Sequence, residues 1–403
     1  MTPERLIARR YLRARHDYGF ISLIGYLGMI GLAIGVAALI LTFSIMRGFR
    51  SEVERKLAGL DGHIRLSTAL GDGTPLSAEL LGRLADRPEV IAVTPFVVQN
   101  ALARHGRISD GVLLLGIDWG GLREAIEIES YLTAGSLPDP GTRGELVLGA
   151  KLARSLRVST GDRLHLFDIN YLLGEQGLRG AAFTVAAIFR SGMLEYDRQL
   201  AFAALPDALR LFGLEGPPSR AILSLTDRNL ADPLALELGQ ELGYPYYFTS
   251  WRQRHANLFA WLNDQQLPIL IVFGFIALVA LVNIFSTLSL VVLEKFRDIG
   301  ILRGLGFSRR QIRRIFLYQG GMVGLVGSLS GLLLAVILGL LQSRYHLLSL
   351  DADIYFMDYL PVQWTWRALA GIPALALGLS LLAAFWPSRK AASILPAEAL
   401  RYE

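Results

Sequence analysis

The six histidines are the side chains of this chain best suited by type to bind a metal ion, because the chain has no cysteine. Zinc sites place their ligands at characteristic short spacings. No two of the histidines stand in an H-x-x-x-H pair, and none has a carboxylate at ligand spacing. The sequence therefore predicts no metal site. The histidines are His16, His63, His105, His165, His255 and His346.

Catalytic groups are equally hard to find. The chain lacks the G-x-x-x-x-G-K loop that binds nucleotide phosphates, so we expect no ATP hydrolysis by this chain alone. Residues 195–197, Glu-Tyr-Asp, are the most obvious acidic cluster, and we interpret them as a solvated loop rather than an acid/base pair. Trp251, Phe259 and Trp261 could contact an acyl chain, although anchoring at a membrane interface is the simpler interpretation. We predict no catalytic residue, no cofactor in this chain and no enzyme activity of its own.

A short charged segment, residues 294–306, separates two long apolar runs. Residues 267–293 before it and residues 315–343 after it contain no charged side chain, and each run is long enough to cross a bilayer as a helix. Arginine is abundant within and just after the charged segment. Short basic loops resist translocation, so this pattern predicts a cytoplasmic loop.

The charged segment is itself predicted to form a short amphipathic helix. Ile299, Leu302 and Leu305 recur at three-residue spacing and give it an apolar side. Ser308 followed by Gln311 fits a capping box that starts the next helix. Such a helix suits docking into a groove on a cytoplasmic partner. We assign this contact to Glu294, Lys295, Phe296, Arg297, Asp298, Ile299, Gly300, Ile301, Leu302, Arg303, Gly304, Leu305 and Gly306.

Composition agrees with a membrane protein that carries a large water-exposed part, since 52% of the residues are hydrophobic and 19% are charged. Four apolar runs predict four transmembrane helices, with both termini on the cytoplasmic side. Small residues four apart favour close helix packing, although glycine is also simply common in membrane helices. The predicted spans are residues 18–46, 267–293, 315–343 and 368–388. The predicted packing glycines are Gly31, Gly35, Gly320, Gly324, Gly327 and Gly331.

The remaining residues fill the spaces between the spans. Residues 1–17 are predicted as a cytoplasmic amphipathic helix, residues 294–314 as the coupling helix and its loop, and residues 389–403 as a cytoplasmic tail. Residues 344–367 form a short loop on the outward side. Residues 47–266 form a large outward domain. The fold class is therefore an α+β membrane protein with four transmembrane helices and its large domain between the first and the second.

The outward domain has mixed patterning typical of α+β folds. Residues 63–67 are predicted as a strand, residues 90–103 as strand, turn and strand, and residues 246–249 as a late strand. The order strand, helix, strand occurs near both ends of the domain, which predicts two β-α-β halves that bracket a β-rich insertion. Residues 255–266 then form a helical stalk that enters the second span.

Residues 294–308 resemble the coupling-helix motif of FtsX-type ABC transporter permeases, E-K-x-x-D-I-G-I-L-R-x-L-G-x-S. Further segments make the resemblance narrower, because they are similar to the lipoprotein-releasing permeases of the LolC/LolE type. These segments are YLRAR at 11–15, SWR at 250–252 with ANLF at 256–259, YFMDYLPV at 355–362, PSRKAA at 387–392 and PAEALR at 396–401.

The resemblance implies a permease in the bacterial inner membrane whose large domain is a periplasmic, MacB-like core. It implies a dimeric cytoplasmic ATPase that binds ATP and Mg, a second permease that is identical or a sister chain, lipoprotein substrates and a periplasmic lipoprotein chaperone. No nucleic acid is expected. The acyl chains of the lipoprotein would enter a cavity for which we name Ile40, Phe43, Met46, Phe49, Leu267 and Ile271.

One departure from the family bears on the chaperone. The permease that recruits it typically projects a hook containing proline, whereas residues 168–180 here contain none. Chaperone recruitment by this chain therefore stays open, as does the choice between identical and sister permeases. The alternatives are drug or peptide export and signalling to cell-wall hydrolases. A membrane-anchored enzyme would need a reactive cluster that the sequence does not offer.

Overall fold

The computed structural model describes residues 19–69, 75–169, 179–350, 357 and 359–395. The chain forms two compact units. We call Met1–Arg50, Leu262–Leu348 and Leu360–Glu403 the helical unit, and Ser51–Trp261 with Ser349–Tyr359 the α+β unit. The predicted helix at residues 1–17 and the tail motif at 396–401 lie outside the described residues. So do residues 355, 356 and 358 of the motif at 355–362 and most of the hook region at 168–180.

The α-helices are, in chain order, α1 Gly19–Asp61, α2 Ala78–Ala85, α3 Trp119–Ala125, α4 Ala150–Leu156, α5 Leu194–Gln199, α6 Leu205–Phe212, α7 Ala231–Leu242, α8 Trp251–Arg254, α9 Ala256–Asp264, α10 Gln266–Glu294, α11 Phe296–Gly304, α12 Arg309–Tyr345 and α13 Trp366–Ser393. The strands are β1 Ile64–Thr68, β2 Val90–His105, β3 Ile108–Ile117, β4 Leu132–Gly135, β5 Glu145–Gly149, β6 Arg163–Asp168, β7 Gly180–Phe189, β8 Leu200–Ala204, β9 Arg220–Leu225 and β10 Tyr246–Ser250.

Four helical stretches of the described residues are long and apolar enough to cross a membrane, and they contain α1, α10, α12 and α13. Each corresponds to one predicted span. The four helices share a buried core in the helical unit. Its members include Leu32, Val36 and Ile40 from α1, Ile284 and Leu288 from α10, Val323 and Ala335 from α12, and Ala376, Ala383 and Ala384 from α13.

The first helix continues well beyond the end predicted at residue 46. Val53, Leu57 and Leu60 follow one another at helical spacing after that point, and each is 2% exposed or less. They are buried within the α+β unit, so the amphipathic end of α1 belongs to that unit. Gly62, at φ +72°, then lets the chain leave the helix and enter β1. The α+β unit thus begins at Ser51, near the predicted residue 47, but its first residues continue the helix that was predicted to end at residue 46.

The α+β unit is built on one sheet with the order β10-β1-β9-β2-β3-β8-β5-β7-β4, and β6 pairs with β2 and β7. The two predicted β-α-β halves are present as β1-α2-β2 and β9-α7-β10. Their strands alternate in the sheet, because β1 lies between β10 and β9, and β9 lies between β1 and β2. All of these pairings are antiparallel. Strands β3 to β8 continue the sheet from β2. Both chain ends of the unit therefore meet in the same part of the sheet.

The prediction of strand, turn and strand for residues 90–103 is wrong, because β2 is one continuous strand. Its first part pairs with β9, and from Phe96 onward it pairs with β3. Pro95 pairs with Ala221 of β9 and directly precedes Phe96, the first residue of β2 that pairs with β3. A proline, which cannot donate a ladder hydrogen bond, is tolerated there because β2 pairs with β3 only from the next residue onward.

Candidate functional site

The charged segment forms α11, a short helix between α10 and α12. Lys295 separates α10 from α11, and its Nζ lies 3.8 Å from Glu294 Oε1 and 3.7 Å from Asp298 Oδ2. The capping box predicted at the start of α12 is present, because Ser308 N donates to Gln311 Oε1 and Gln311 N donates to Ser308 Oγ. Both ends of the segment are thus fixed to transmembrane helices.

Two of the three residues predicted for the apolar side of α11 face inward, whereas the third, Leu305, is exposed. Ile299 is fully buried in a core with Val292 of α10, Phe316 of α12 and Ala391 of α13, and Leu302 packs against the same core. Ile299 is therefore unavailable to a partner. Instead, it attaches α11 to the three helices around it.

A second face of α11 is exposed. Arg297, Ile301 and Leu305 are exposed at four-residue spacing, with Ile301 45% and Leu305 74% accessible. Residues four apart lie on one side of a helix, so these three form a ridge, which we call the α11 ridge. Exposed large apolar side chains beside a charged one suit a protein contact. The sequence also shows the four-residue spacing of Ile301 and Leu305. From the sequence alone, however, the spacing of Ile299 and Leu302 predicts a different apolar side of the same helix.

Two of the predicted packing glycines bring α12 against α13. A Cβ on Gly320 would lie 2.3 Å from the Cβ of Ala384, and a Cβ on Gly324 would lie 2.6 Å from the Cβ of Ser380. Both distances are too short for any side chain. Glycine therefore permits the close approach of these two helices.

Two further glycines bring α12 against α1. A Cβ on Gly327 would lie 2.9 Å from Leu32 Cδ2, and a Cβ on Gly331 would lie 2.5 Å from the carbonyl oxygen of Ala33. In α12, Gly320 and Gly324 therefore pack against α13, and Gly327 and Gly331 pack against α1.

The glycines predicted on α1 differ from this pattern. A Cβ on Gly35 would be 3.4 Å from Ile276 Cγ2 of α10, which is ordinary contact. A Cβ on Gly31 would meet no atom of the described residues within 4 Å. Gly31 therefore makes no close helix contact in this part of the chain, and any packing role for it would need another chain.

A cavity of about 490 Å³ opens in the helical unit between α1, the start of α10 and the start of α13. Its apolar part includes Phe43 and Met46 of α1, both predicted cavity residues. Its polar part is dominated by arginine. The lining residues are Thr42, Phe43, Met46, Arg47, Arg50, Gln266, Ile269, Leu270, Thr365, Arg367, Ala368 and Ile372.

The other predicted cavity residues are placed elsewhere. Ile40 is fully buried in the core of the helical unit, so it cannot line an open cavity. Leu267 and Ile271 are exposed, but Ile269 and Leu270 supply the α10 wall in their place. Phe49 is half-buried outside the lining. The predicted cavity residues included none from α13, although Ala368 and Ile372 lie in the predicted fourth span and Arg367 directly precedes it.

In the α+β unit, a buried carboxylate joins four separate elements. Asp61, the last residue of α1, is 1% exposed. Its Oδ1 accepts hydrogen bonds from Tyr196 Oη at 2.7 Å and Arg65 Nη2 at 3.0 Å. Its Oδ2 lies 2.6 Å from His255 Nε2 and 3.2 Å from Arg254 Nη1. We call these five residues the Asp61 cluster.

The electrostatics of the Asp61 cluster favour the charged carboxylate. Burial raises the pKa of Asp61, but the hydrogen bond with His255 and the charges of Arg65 and Arg254 outweigh burial and hold this pKa well below its usual range. Burial lowers the pKa of Arg65 to about 10, which still leaves its guanidinium charged at neutral pH. Burial, together with the negative charge of Asp61, raises the pKa of Tyr196 well above its ordinary value.

The interpretation of residues 195–197 as a solvated loop is wrong. They lie in α5, where Tyr196 contacts Asp61 and Asp197 is 2% exposed. Asp197 accepts hydrogen bonds from Ser191 N at 2.7 Å and Gly192 N at 3.1 Å, so it fixes the preceding turn. The buried carboxylate of Asp197 is thus hydrogen-bonded, as buried polar groups in folded proteins generally are.

Comparison with known proteins decides the family. The MacB-like periplasmic core domain family matches residues 27–236, and the FtsX-like permease C-terminal family matches residues 270–396. The chain is 31% identical to the lipoprotein-releasing system transmembrane protein LolC of Xylella fastidiosa, over 98% of each chain. It is 32% identical to LolC of Neisseria meningitidis serogroup B over 99% of each chain. The chain belongs to the LolC/LolE family.

Another relative, the lipoprotein-releasing system transmembrane protein LolE of Haemophilus influenzae, is 29% identical over 99% of each chain. Membership of the LolC/LolE family confirms the predicted fold class, an α+β membrane protein with four transmembrane helices and a MacB-like periplasmic core domain. Within the parts of this LolC/LolE chain that the structure describes, no group of three or more His, Cys, Asp or Glu side chains is arranged to hold a metal ion.

Proposed function

We propose that this LolC/LolE-family chain is the permease subunit of an ABC transporter that extracts lipoproteins from the outer leaflet of the inner membrane. The transporter would pass them to a periplasmic carrier. A separate cytoplasmic ATPase dimer would bind ATP and Mg and supply the energy, with a second permease, identical or a sister chain, completing the complex. The full-length similarity to lipoprotein-releasing system proteins carries this proposal.

The proposed topology places both termini and α11 in the cytoplasm and the α+β unit in the periplasm. Support comes from charge, because residues 294–314 hold seven Lys and Arg against two acidic residues. The short loop between α12 and α13 then faces the periplasm. The cavity between α1, α10 and α13 lies at the outward ends of the helices, where the outer leaflet would be.

The energy requirement explains why both a cavity and ATP are needed. At about 0.8 kcal/mol per buried methylene, a triacylated anchor holds tens of kcal/mol of membrane affinity. Phe43 and Met46 offer the acyl chains an apolar surface in the cavity. Nucleotide-driven movement must then make this surface unavailable, so that the lipoprotein leaves for its carrier.

The contact with the ATPase is assigned to the α11 ridge. Ile301 and Leu305 would bind the ATPase, while Ile299, in the core shared by α10, α12 and α13, would transmit the movement to those helices. At the other end of α1, the Asp61 cluster holds the helix to the segment that leads into α10. The outward ends of α1 and α10 would therefore move together.

Purification of the intact complex followed by reconstitution tests the function. Liposomes that contain the complex and a lipoprotein should release the lipoprotein to an added carrier only when ATP and Mg are present. A complex that binds an ATPase but exports a drug or peptide, or that activates a cell-wall hydrolase without releasing lipoprotein, would overturn the proposal in favour of one of the alternatives.

A further inference from the structure

The polar side of the cavity between α1, α10 and α13 carries three arginines, Arg47 and Arg50 from α1 and Arg367 from α13. We call them the arginine rim. Arg47 and Arg367 are exposed, and Arg50 Nη1 donates to Asn263 Oδ1 at 3.0 Å, which holds its guanidinium in place. Among the residues that the structure describes, the lining of the cavity contains no Asp or Glu. The cavity therefore combines concentrated positive charge with an apolar wall.

Orientation in the membrane does not explain the arginine rim. Arginine and lysine set topology by collecting at the cytoplasmic ends of spans, and outward ends are comparatively poor in them. In the proposed topology, Arg47 follows the first span directly and Arg367 precedes the fourth. Two distant parts of the sequence thus bring basic side chains to one cavity. This cavity lies on the outward side in the proposed topology, where the positive-inside rule does not predict an excess of basic residues. A binding role accounts for this convergence.

The chemistry of the cavity specifies its ligand. Guanidinium groups bind phosphate oxygens through paired, charge-assisted hydrogen bonds. Phe43, Met46, Ile269 and Leu270 provide the apolar surface next to the rim, which matches an acyl chain attached to the phosphate group. We propose that this cavity binds an anionic phospholipid of the outer leaflet, with its phosphate on the arginine rim and an acyl chain on the apolar wall.

This inference rests on the topology of the proposed function and adds a second ligand to the same cavity. A phospholipid in this position occupies the space that the acyl chains of a lipoprotein would enter. The two ligands therefore compete, and the phospholipid keeps the apolar wall covered between transport cycles. Lipoprotein binding should then displace an anionic lipid from the complex.

Lipid binding to the intact complex tests the inference. The complex, purified in detergent, is mixed with phosphatidylglycerol or phosphatidylethanolamine, and bound lipid is measured by native mass spectrometry. We expect phosphatidylglycerol to be preferred, because phosphatidylethanolamine carries the same phosphate together with an ammonium group that the arginines repel. The double variant Arg47→Gln, Arg367→Gln removes two of the three rim charges and should lose this preference by about tenfold or more. Arg344→Gln, at the outward end of α12 and outside the cavity lining, is the matched control and should keep it.

Specific results would overturn the inference. One is equal binding of phosphatidylglycerol and phosphatidylethanolamine to the native complex. Another is a loss of phosphatidylglycerol preference in the Arg344→Gln control as large as the loss in the double glutamine variant. A double variant that keeps phosphatidylglycerol but loses copurified lipoprotein would show that the rim contacts the protein cargo instead. A further double variant, Arg47→Lys, Arg367→Lys, retains the charges and should bind more phosphatidylglycerol than the glutamine variant. Lipid binding is measured without ATP and does not depend on transport. A failure of lipoprotein release in the transport assay would therefore count against the proposed function and not against lipid binding by the cavity.

Discussion

His255 Nε2 lies 2.6 Å from Asp61 Oδ2, although 194 positions separate the two residues in the sequence. Asp61 ends α1, and His255 lies between α8 and α9, on the segment that leads into α10. The contact therefore ties together the two segments by which the chain enters and leaves the α+β unit.

Replacement of Asp61 should destabilise the α+β unit. Asp61→Asn removes the negative charge that Arg65 and Arg254 share, and it leaves these partly buried cations without a counter-charge. We expect the free energy of unfolding to fall by about 2–3 kcal/mol, less than for a fully buried pair because both arginines are partly exposed. Chemical unfolding in detergent measures this. Asp139→Asn, at an exposed position, is the control and should change stability by less than about 0.5 kcal/mol.

The same carboxylate predicts a pH dependence. The pKa of Asp61 is lower in the folded chain than its value of about 3.9 in an unfolded chain, so the unfolded state binds the proton more readily. The stabilisation by Asp61 is complete above about pH 4 and is lost as the pH falls toward the folded pKa. Unfolding followed at several pH values should show the stability gap between native chain and Asp61→Asn narrowing below pH 4. A constant gap would contradict the assignment.

The two faces of α11 should respond differently to substitution. Ile301→Ser and Leu305→Ser change exposed side chains, so we expect them to reduce copurification of the ATPase by about tenfold while the permease stays folded. Ile299→Ala opens a cavity in the core and should instead lower the stability of the helical unit by about 2–4 kcal/mol. Copurification and thermal unfolding are measured on all three variants. Normal ATPase binding by both serine variants would exclude the α11 ridge.

Two glycines offer a matched pair for helix packing. A valine at position 331 would place its Cβ about 2.5 Å from the carbonyl oxygen of Ala33, whereas a valine at position 31 meets open space in the described part of the chain. Gly331→Val should therefore lower the melting temperature in detergent by several degrees or prevent accumulation of the protein. Gly31→Val should leave the melting temperature of the single chain unchanged. Equal tolerance of both variants would argue against close packing of α1 and α12.

The membrane part was the easiest to predict, because uncharged runs and the arginines around α11 are local signals. The end of α1 was missed, since Val53 and Leu57 stand among charged residues as in any soluble helix. The continuous β2 strand was missed because its length comes from pairing first with β9 and then with β3, two partners that are distant or unpaired in the sequence alone. The Asp61 cluster had one local signal, Asp61 and Arg65 four apart, but its other members come from distant segments that only the fold brings together.

The inward and outward faces of α11 show the limit of pattern reasoning most clearly. Ile299 and Ile301 are both isoleucines on a short helix. Ile299 with Leu302, and Ile301 with Leu305, each have a spacing that places two apolar side chains on one side of a helix. Only the surrounding helices decide which one is buried. The α13 wall of the cavity was missed as well, because Ala368 and Ile372 lie in the predicted fourth span and their sequence does not show which side of it faces a cavity.

Site-specific photocrosslinking within the reconstituted complex tests the central claim most directly. A photoreactive amino acid at Phe43 or Met46 should crosslink to lipoprotein, and addition of ATP, Mg and a carrier should remove most of the adduct. The same amino acid at Ile34, an exposed position of α1 outside the cavity lining, should give little adduct. Absence of lipoprotein adducts at Phe43 and Met46, or adducts there that ATP leaves unchanged, would contradict ATP-driven release through this cavity.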